Sequence, residues 1–209
     1  MNSFKNRIKE RRKIERAIIS SIQFAWEEKA FLGSHYTEEN FRYLVMYYIS
    51  EIGMFGQFPN NPNESKMLTF EYKYSDEFIP DIVCLNRRKN AKKIFVNKHN
   101  PLVVELKINA SIKGEKSSIQ RDLRKIKDYL HKENGNFSFE YGIVLNLGIP
   151  KSLKNNETYR KKLEKLLNEN KFKIKTNSSY NLLFGWFNPI TEKPEAFWLD
   201  QDSPIRLGN

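Results

Sequence analysis

The chain has 209 residues, with 36 Lys and Arg against 25 Asp and Glu and a formal charge of +11; this is enough for one domain with a sizeable core, and the basic excess suits a polyanionic partner such as nucleic acid. The single cysteine, Cys84, excludes an intrachain disulfide, and His35, His99 and His131 lie too far apart, without companion cysteines, for a zinc site or a Cys/His nucleophile. The longest apolar run, YLVMYYI, is too short to span a bilayer and the charged N-terminus lacks a signal peptide's apolar region, so a soluble cytoplasmic protein in reducing surroundings, with no membrane partner, is expected.

Residues 4 to 31 predict a long helix, with Ile18, Ile22, Ala25 and Trp26 at helical spacing and a first half crowded with Lys and Arg. Arg7, Arg11, Arg12 and Lys13 in that half are candidate nucleic-acid contacts. A second helix starts after Thr37, a good N-cap, and carries the apolar stripe Phe41, Leu44, Val45, Tyr48, Ile49 and Ile52 up to Gly53. GQFPNNPNES reads as a loop. Three strands follow, MLTFEYKY from Met67, IPDIVCLN from Ile79 and PLVVELKI from Pro101, with KIFV as a short strand in the basic connector between the last two. EKSSIQRDLRKIKDYLHK is an amphipathic helix through Ile119, Leu123, Ile126 and Leu130; FSFEYGIVLNLG is a strand; NETYRKKLEKLLNEN is a helix; NLLFGWFN and EAFWL form a terminal strand pair. The order predicts an α/β (α+β) fold: a mixed central sheet flanked by helices, with a basic helical extension over residues 1–36 and a domain over residues 37–209.

Two of the most core-like strands carry charge. Alternation puts Leu102, Val104, Leu106 and Ile108 on one face of their strand and Val103, Glu105 and Lys107 on the other, while Asp81 shares a side with Val83 and Leu85. An unpaired carboxylate on such a face is costly, and a lysine or a metal ion offsets the cost. Carboxylates from neighbouring strands with an ammonium two residues beyond one of them suit a hard divalent cation and an activated water, the chemistry of phosphodiester hydrolysis.

Pro80-Asp81 on one strand and Glu105-Leu106-Lys107 on the next, within a helix-strand-strand-strand-helix-strand order, resemble the PD-(D/E)XK nuclease superfamily over roughly residues 37 to 147. The resemblance implies a restriction-endonuclease-like core in which Asp81 and Glu105 bind Mg²⁺, with Mn²⁺ able to substitute, the Leu106 backbone carbonyl is a further ligand, and Lys107 serves the attacking water. Many members carry another acid on the first helix. Glu38, Glu39 and Glu51 are available here, with Glu39 the nominal choice, although favourable interaction with the helix N-terminus is the preferred account of Glu38 and Glu39. Glu71, on the first strand, reads as exposed. Gln120 and Lys125 on the following helix are weaker candidates for reaching the site or the nucleic-acid backbone.

The expected activity is that of a Mg²⁺-dependent nuclease, with DNA the expected substrate and endonucleolytic cleavage the expected mode. RNA cleavage, a non-catalytic nucleic-acid-binding module on the same fold, and a helical protein adaptor stand as alternatives. The aromatics of FGWFN read either as strand core or as a homodimer interface. GEKSS lacks the earlier glycine of a phosphate-binding loop, so no nucleotide cofactor is implied.

Overall fold

The computed structural model describes residues 2–52, 56–58, 61–71, 73, 79–90, 93–96, 99–110, 112, 118–130, 138–149, 156–171, 181–200 and 204–207. Most of GEKSS, His131 and the side chain of Arg7 lie outside the described residues. The chain opens with α1 (Asn2–Leu32), a 3-10 turn (Gly33–His35) and α2 (Glu38–Glu51). Thr37 caps α2 as its residue type predicts. Its hydroxyl accepts from the Asn40 N–H at 3.4 Å, and the Asn40 side chain accepts from the Thr37 N–H at 2.9 Å, satisfying donors that a helix start leaves free. There follow β1 (Gly56–Phe58), β2 (Asn61–Phe70), β3 (Ile82–Asn90), β4 (Lys93–Val96), β5 (His99–Ile108), α3 (Ser118–Leu130), β6 (Ser138–Leu147), α4 (Asn156–Glu169), β7 (Asn181–Asn188) and β8 (Lys193–Trp198).

Among the described residues the strands form one mixed sheet in the order β1-β2-β3-β5-β6-β7-β8, with β4 paired to β3. β5, β6 and β7 are parallel, flanked by antiparallel β3 and β8. Helices cover both faces. α1 and α2 bury Ile18, Ile22, Val45 and Ile49 against Leu102, Val104 and Ile143, whereas α3 and α4 bury Ile119, Leu123 and Leu163 against Val103, Val144 and Phe184. Each such side chain contributes roughly 1.5–3 kcal/mol over exposure, so packing onto the sheet, more than local propensity, holds the helices. Strands buried on both faces need apolar residues at nearly every position, which accounts for LVVEL and IVLNL. Two glycines set the layer spacing: a Cβ on Gly142 of β6 would overlap Ile126 of α3, and one on Gly185 of β7 would stand 2.9 Å from Ile18 and Ile22 of α1.

Several expectations change. β2 runs through part of the stretch that reads as a loop and stops at Phe70, because antiparallel pairing from Glu64 with Arg88 to Phe70 with Ile82 satisfies its backbone whatever its side chains. Glu71, at φ 48°, ends it. β3 begins at Ile82, so Pro80 and Asp81 stand just before the strand, Pro80 having no N–H to give a ladder. The α1 extension contributes Ile14, Ile18 and Ile22 to the same core as α2 and the sheet. β7 is buried along its whole length, which makes FGWFN core and removes it as an interface. Among the described residues no helix is long and apolar enough to cross a membrane.

Candidate active site

Antiparallel register brings the two charged segments together. Ile82 pairs with Val104, so Asp81, one step back, stands beside Glu105 and Leu106. Its Oδ2 accepts the Leu106 N–H at 2.8 Å, and its own carbonyl accepts the Glu71 N–H at 3.2 Å, which fixes the bend before β3. Glu105 and Lys107 lie near the C-terminal end of parallel β5, the end at which open α/β sheets bind ligands.

Lys107 is the hub. Its ammonium donates to the Leu106 carbonyl at 2.7 Å and lies 3.6 Å from Glu38 Oε1, 3.7 Å from Asp81 Oδ2 and 3.8 Å from Asp122 Oδ2. Burial pulls its pKa down, and Asp81, Asp122, Glu38 and Glu105 more than reverse that, leaving it above the ordinary lysine value. Lys107 is therefore a firmly held cation.

Glu105 and Asp122 are almost completely enclosed, 2% and 3% exposed. Burial, then the neighbouring Asp81 charge, pushes Glu105 up to about 8, against the opposing pull of Lys125 and Lys107. Asp122 is pushed up to about 6 by burial, with Lys107 and Lys125 opposing. Glu105 Oε1 and Asp122 Oδ2 have no hydrogen-bond partner, an unusual condition for buried carboxylate oxygens. Both are oxygens of the kind a hard divalent cation takes.

Asp81, Glu105, Lys107 and Lys125 thus come together, with Lys125 Nζ 3.5 Å from Glu105 Oε1 and 3.9 Å from Asp122 Oδ1. Gln120, two residues before Asp122, falls on a different face of α3. Glu39 is exposed and accepts from the Tyr43 hydroxyl at 3.4 Å, and Glu51 is exposed at the far end of α2. Glu38 stands in the first turn of α2, as its helix-terminus account has it, and its carboxylate also reaches Lys107.

Asp122 and Arg42 were missed by the sequence reading. Asp122 interrupts the apolar stripe Ile119, Leu123 and Ile126 of α3, the same signal that marks Glu105 in its strand. Arg42 lies four residues after Glu38, hence on the same helix face, and its guanidinium bridges Glu71 at 2.8 Å and Asp81 at 3.5 Å.

The basic residues of α1 lie elsewhere. Arg11 donates to Asn181 and Asp200 and its guanidinium lies 4.4 Å from the Trp198 ring centre, so it anchors α1 to the β7 and β8 end of the sheet instead of facing a polyanion. Arg12 and Lys13 are exposed and line a groove of about 340 Å³ with Ile8, Lys9 and Arg16. Lys29, near the other end of α1, reaches the carbonyl of Leu147 at the C-terminal end of β6, whereas Arg11 meets the first residue of β7. The basic half of α1 therefore sits at the opposite end of the parallel strands from Glu105 and Lys107, ~27 Å along the helix at about 1.5 Å per residue.

Among the described residues no three acidic, histidine or cysteine side chains stand close enough to cage an ion. Mg²⁺ needs no such cage, since one or two carboxylates complete its octahedron with waters and phosphate oxygens. No family model, no curated protein and no solved structure matches this chain.

Proposed function

We propose that this chain is a Mg²⁺-dependent nuclease of the PD-(D/E)XK type, with DNA as substrate and endonucleolytic cleavage as the expected mode. The observation that carries the reading is the junction of Asp81, Glu105 and Lys107 through the Leu106 peptide, with a buried carboxylate oxygen left without a partner. In this reading Asp81 and Glu105 hold the ion, and the Leu106 carbonyl is the further oxygen beside them. When bound, the ion supplies Lewis-acid stabilisation of a phosphate and a water of lowered pKa.

Lys107, held as an ammonium by its four acidic neighbours, orients the attacking water and offsets charge gathering on the phosphate oxygens; deprotonating that water does not suit a lysine whose proton is so firmly held. Glu38 and Asp122 keep that ammonium in place from two different helices. Arg42, bridging Asp81 and Glu71, fixes the aspartate from the α2 side. The groove of Arg12 and Lys13 serves as a remote anchor for a long polyanion.

A non-catalytic binding module would use the same groove, and the net charge of +11 favours it equally. It gives no account of the buried, unpartnered carboxylate oxygens at the other end of the sheet. Cleavage assays on supercoiled, linear, single-stranded and branched DNA and on RNA, with Mg²⁺ or chelator, separate the two. Asp81→Ala, Glu105→Ala and Lys107→Ala are each expected to slow Mg²⁺-dependent cleavage at least ~100-fold while binding persists, with the triple variant hardly worse than one. Undiminished hydrolysis in excess chelator, or Glu105→Ala and Asp81→Ala cleaving as fast as the parent, overturns the assignment.

A further inference from the structure

The charges at the site form an unbroken alternating chain drawn from four parts of the fold. Glu38 of α2 and Asp81 before β3 meet Lys107 of β5; Lys107 meets Asp122 of α3; Asp122 meets Lys125 one turn further along α3; and Lys125 returns to Glu105 of β5. The two lysines are held very differently. Lys107, 26% exposed, donates to a backbone carbonyl at 2.7 Å and lies within ion-pair distance of three carboxylates. Lys125 is 45% exposed and stands 3.5 Å and 3.9 Å from its two acids, too far for a charge-assisted hydrogen bond, which closes to about 2.7–2.9 Å. Glu105 Oε1, the atom Lys125 faces, remains without a hydrogen bond.

Once Glu105 is ionised, this is an asymmetric ion pair, an acid sealed in the protein and a cation at its mouth. A buried carboxylate has nowhere to go, whereas a half-exposed lysine regains its hydration simply by swinging outward. We propose that Lys125 is a built-in counter-ion of this site, occupying the cation position beside Glu105 until a divalent ion displaces it. The inference rests on the metal-dependent reading above and adds to it a competition step that sets how tightly the ion is held. Lys107 takes no part in the exchange, because Glu38 and Asp122, which hold it from two helices, are not ligands of the ion.

Titration calorimetry of Mn²⁺ and Mg²⁺ into the full chain tests the exchange without reference to catalysis. Removing the competing charge in Lys125→Met is expected to tighten Mn²⁺ binding roughly two- to fivefold, the upper part of the range for ion pairs of this exposure and separation. Lys125→Arg, which keeps the charge, is expected to bind as the parent does, and Glu105→Gln to bind poorly. Thermal melts supply an independent readout. Lys125→Met should melt below the parent in chelator and gain more from saturating Mn²⁺, since ionised Glu105 then lacks the cation that faces its Oε1 until the metal arrives. If Glu105→Gln loses the metal while Lys125→Met binds it no more tightly than the parent, the counter-ion role is wrong and the metal site stands. If the parent takes up neither ion, or Glu105→Gln binds as well as the parent, the counter-ion role and the metal-dependent reading fall together.

Discussion

Glu105→Gln tests the electrostatics of the site without any assumption about substrate. Glu105 is 2% exposed, and burial together with Asp81 carries it from its ordinary 4.5 up to about 8, against the pull of Lys125 and Lys107 and with Asp122 adding to the rise. The folded chain therefore holds a proton that the unfolded chain has already released across that interval, so stability is lost as pH rises. The loss starts above about 4.5, is complete once the pH exceeds about 8, and at about 1.4 kcal/mol per pH unit reaches 4–5 kcal/mol. Relaxation and water entry around the ionised form reduce this, and about 2–4 kcal/mol is expected in practice. Glutamine keeps the shape and releases no proton. In urea unfolding with chelator at about pH 5, 6.5, 8 and 9, the variant and the parent should be close at the acid end, and the variant should pull ahead by about 2–4 kcal/mol by pH 8. Asp122, pushed up to about 6 by burial, adds a similar slope at lower pH that the two proteins largely share. Mg²⁺ at high pH should return stability to the parent far more than to the variant. Parallel stability curves for the two proteins from pH 5 to 9 would refute the reasoning, because Glu105 would then titrate alike in the folded and unfolded chains.

Arg11→Ala should cost about 2–4 kcal/mol of stability, since it strands Asp200, a buried acid, and leaves the Trp198 face open; its salt dependence of nucleic-acid binding should match that of the parent. Arg12→Gln with Lys13→Gln should do the reverse, leaving the melting temperature unchanged while lowering the salt slope by up to about two in a binding titration. Gly142→Val should destabilise by about 1–3 kcal/mol or more in denaturant melts, because its side chain pushes Ile126 and α3 off the sheet.

The residues of the candidate site were legible to the extent that they break a pattern. Glu105 and Lys107 stand out because alternation along β5 is strict and burial of an unpaired charge is costly, and in the fold they share the α3 face with Val103, as that alternation requires. Asp122 breaks the stripe of α3 in the same way. Glu38 breaks nothing, since an acid in the first turn of a helix has a sufficient local reason to be there. Its contact with Lys107 exists because α2 delivers its N-terminus to the end of β5 where Lys107 stands.

Local chemistry along the chain determined the α/β class, the helix start at Thr37, the apolar faces and the odd charges within them, because each depends on residues a few positions apart. Tertiary structure decided what those charges meet. The partners of Lys107 come from α2, from the bend before β3 and from α3, and they converge through antiparallel register between β3 and β5 and through the close seat of α3 at Gly142. It also divided one basic run into two kinds of residue, Arg11 turned onto Trp198 and Asp200, Arg12 and Lys13 turned to solvent. Neighbouring arginines on a helix point about 100° apart, and which of them finds a buried acid depends on strands roughly 170 to 190 residues further along the chain, a distance over which composition and periodicity carry no information.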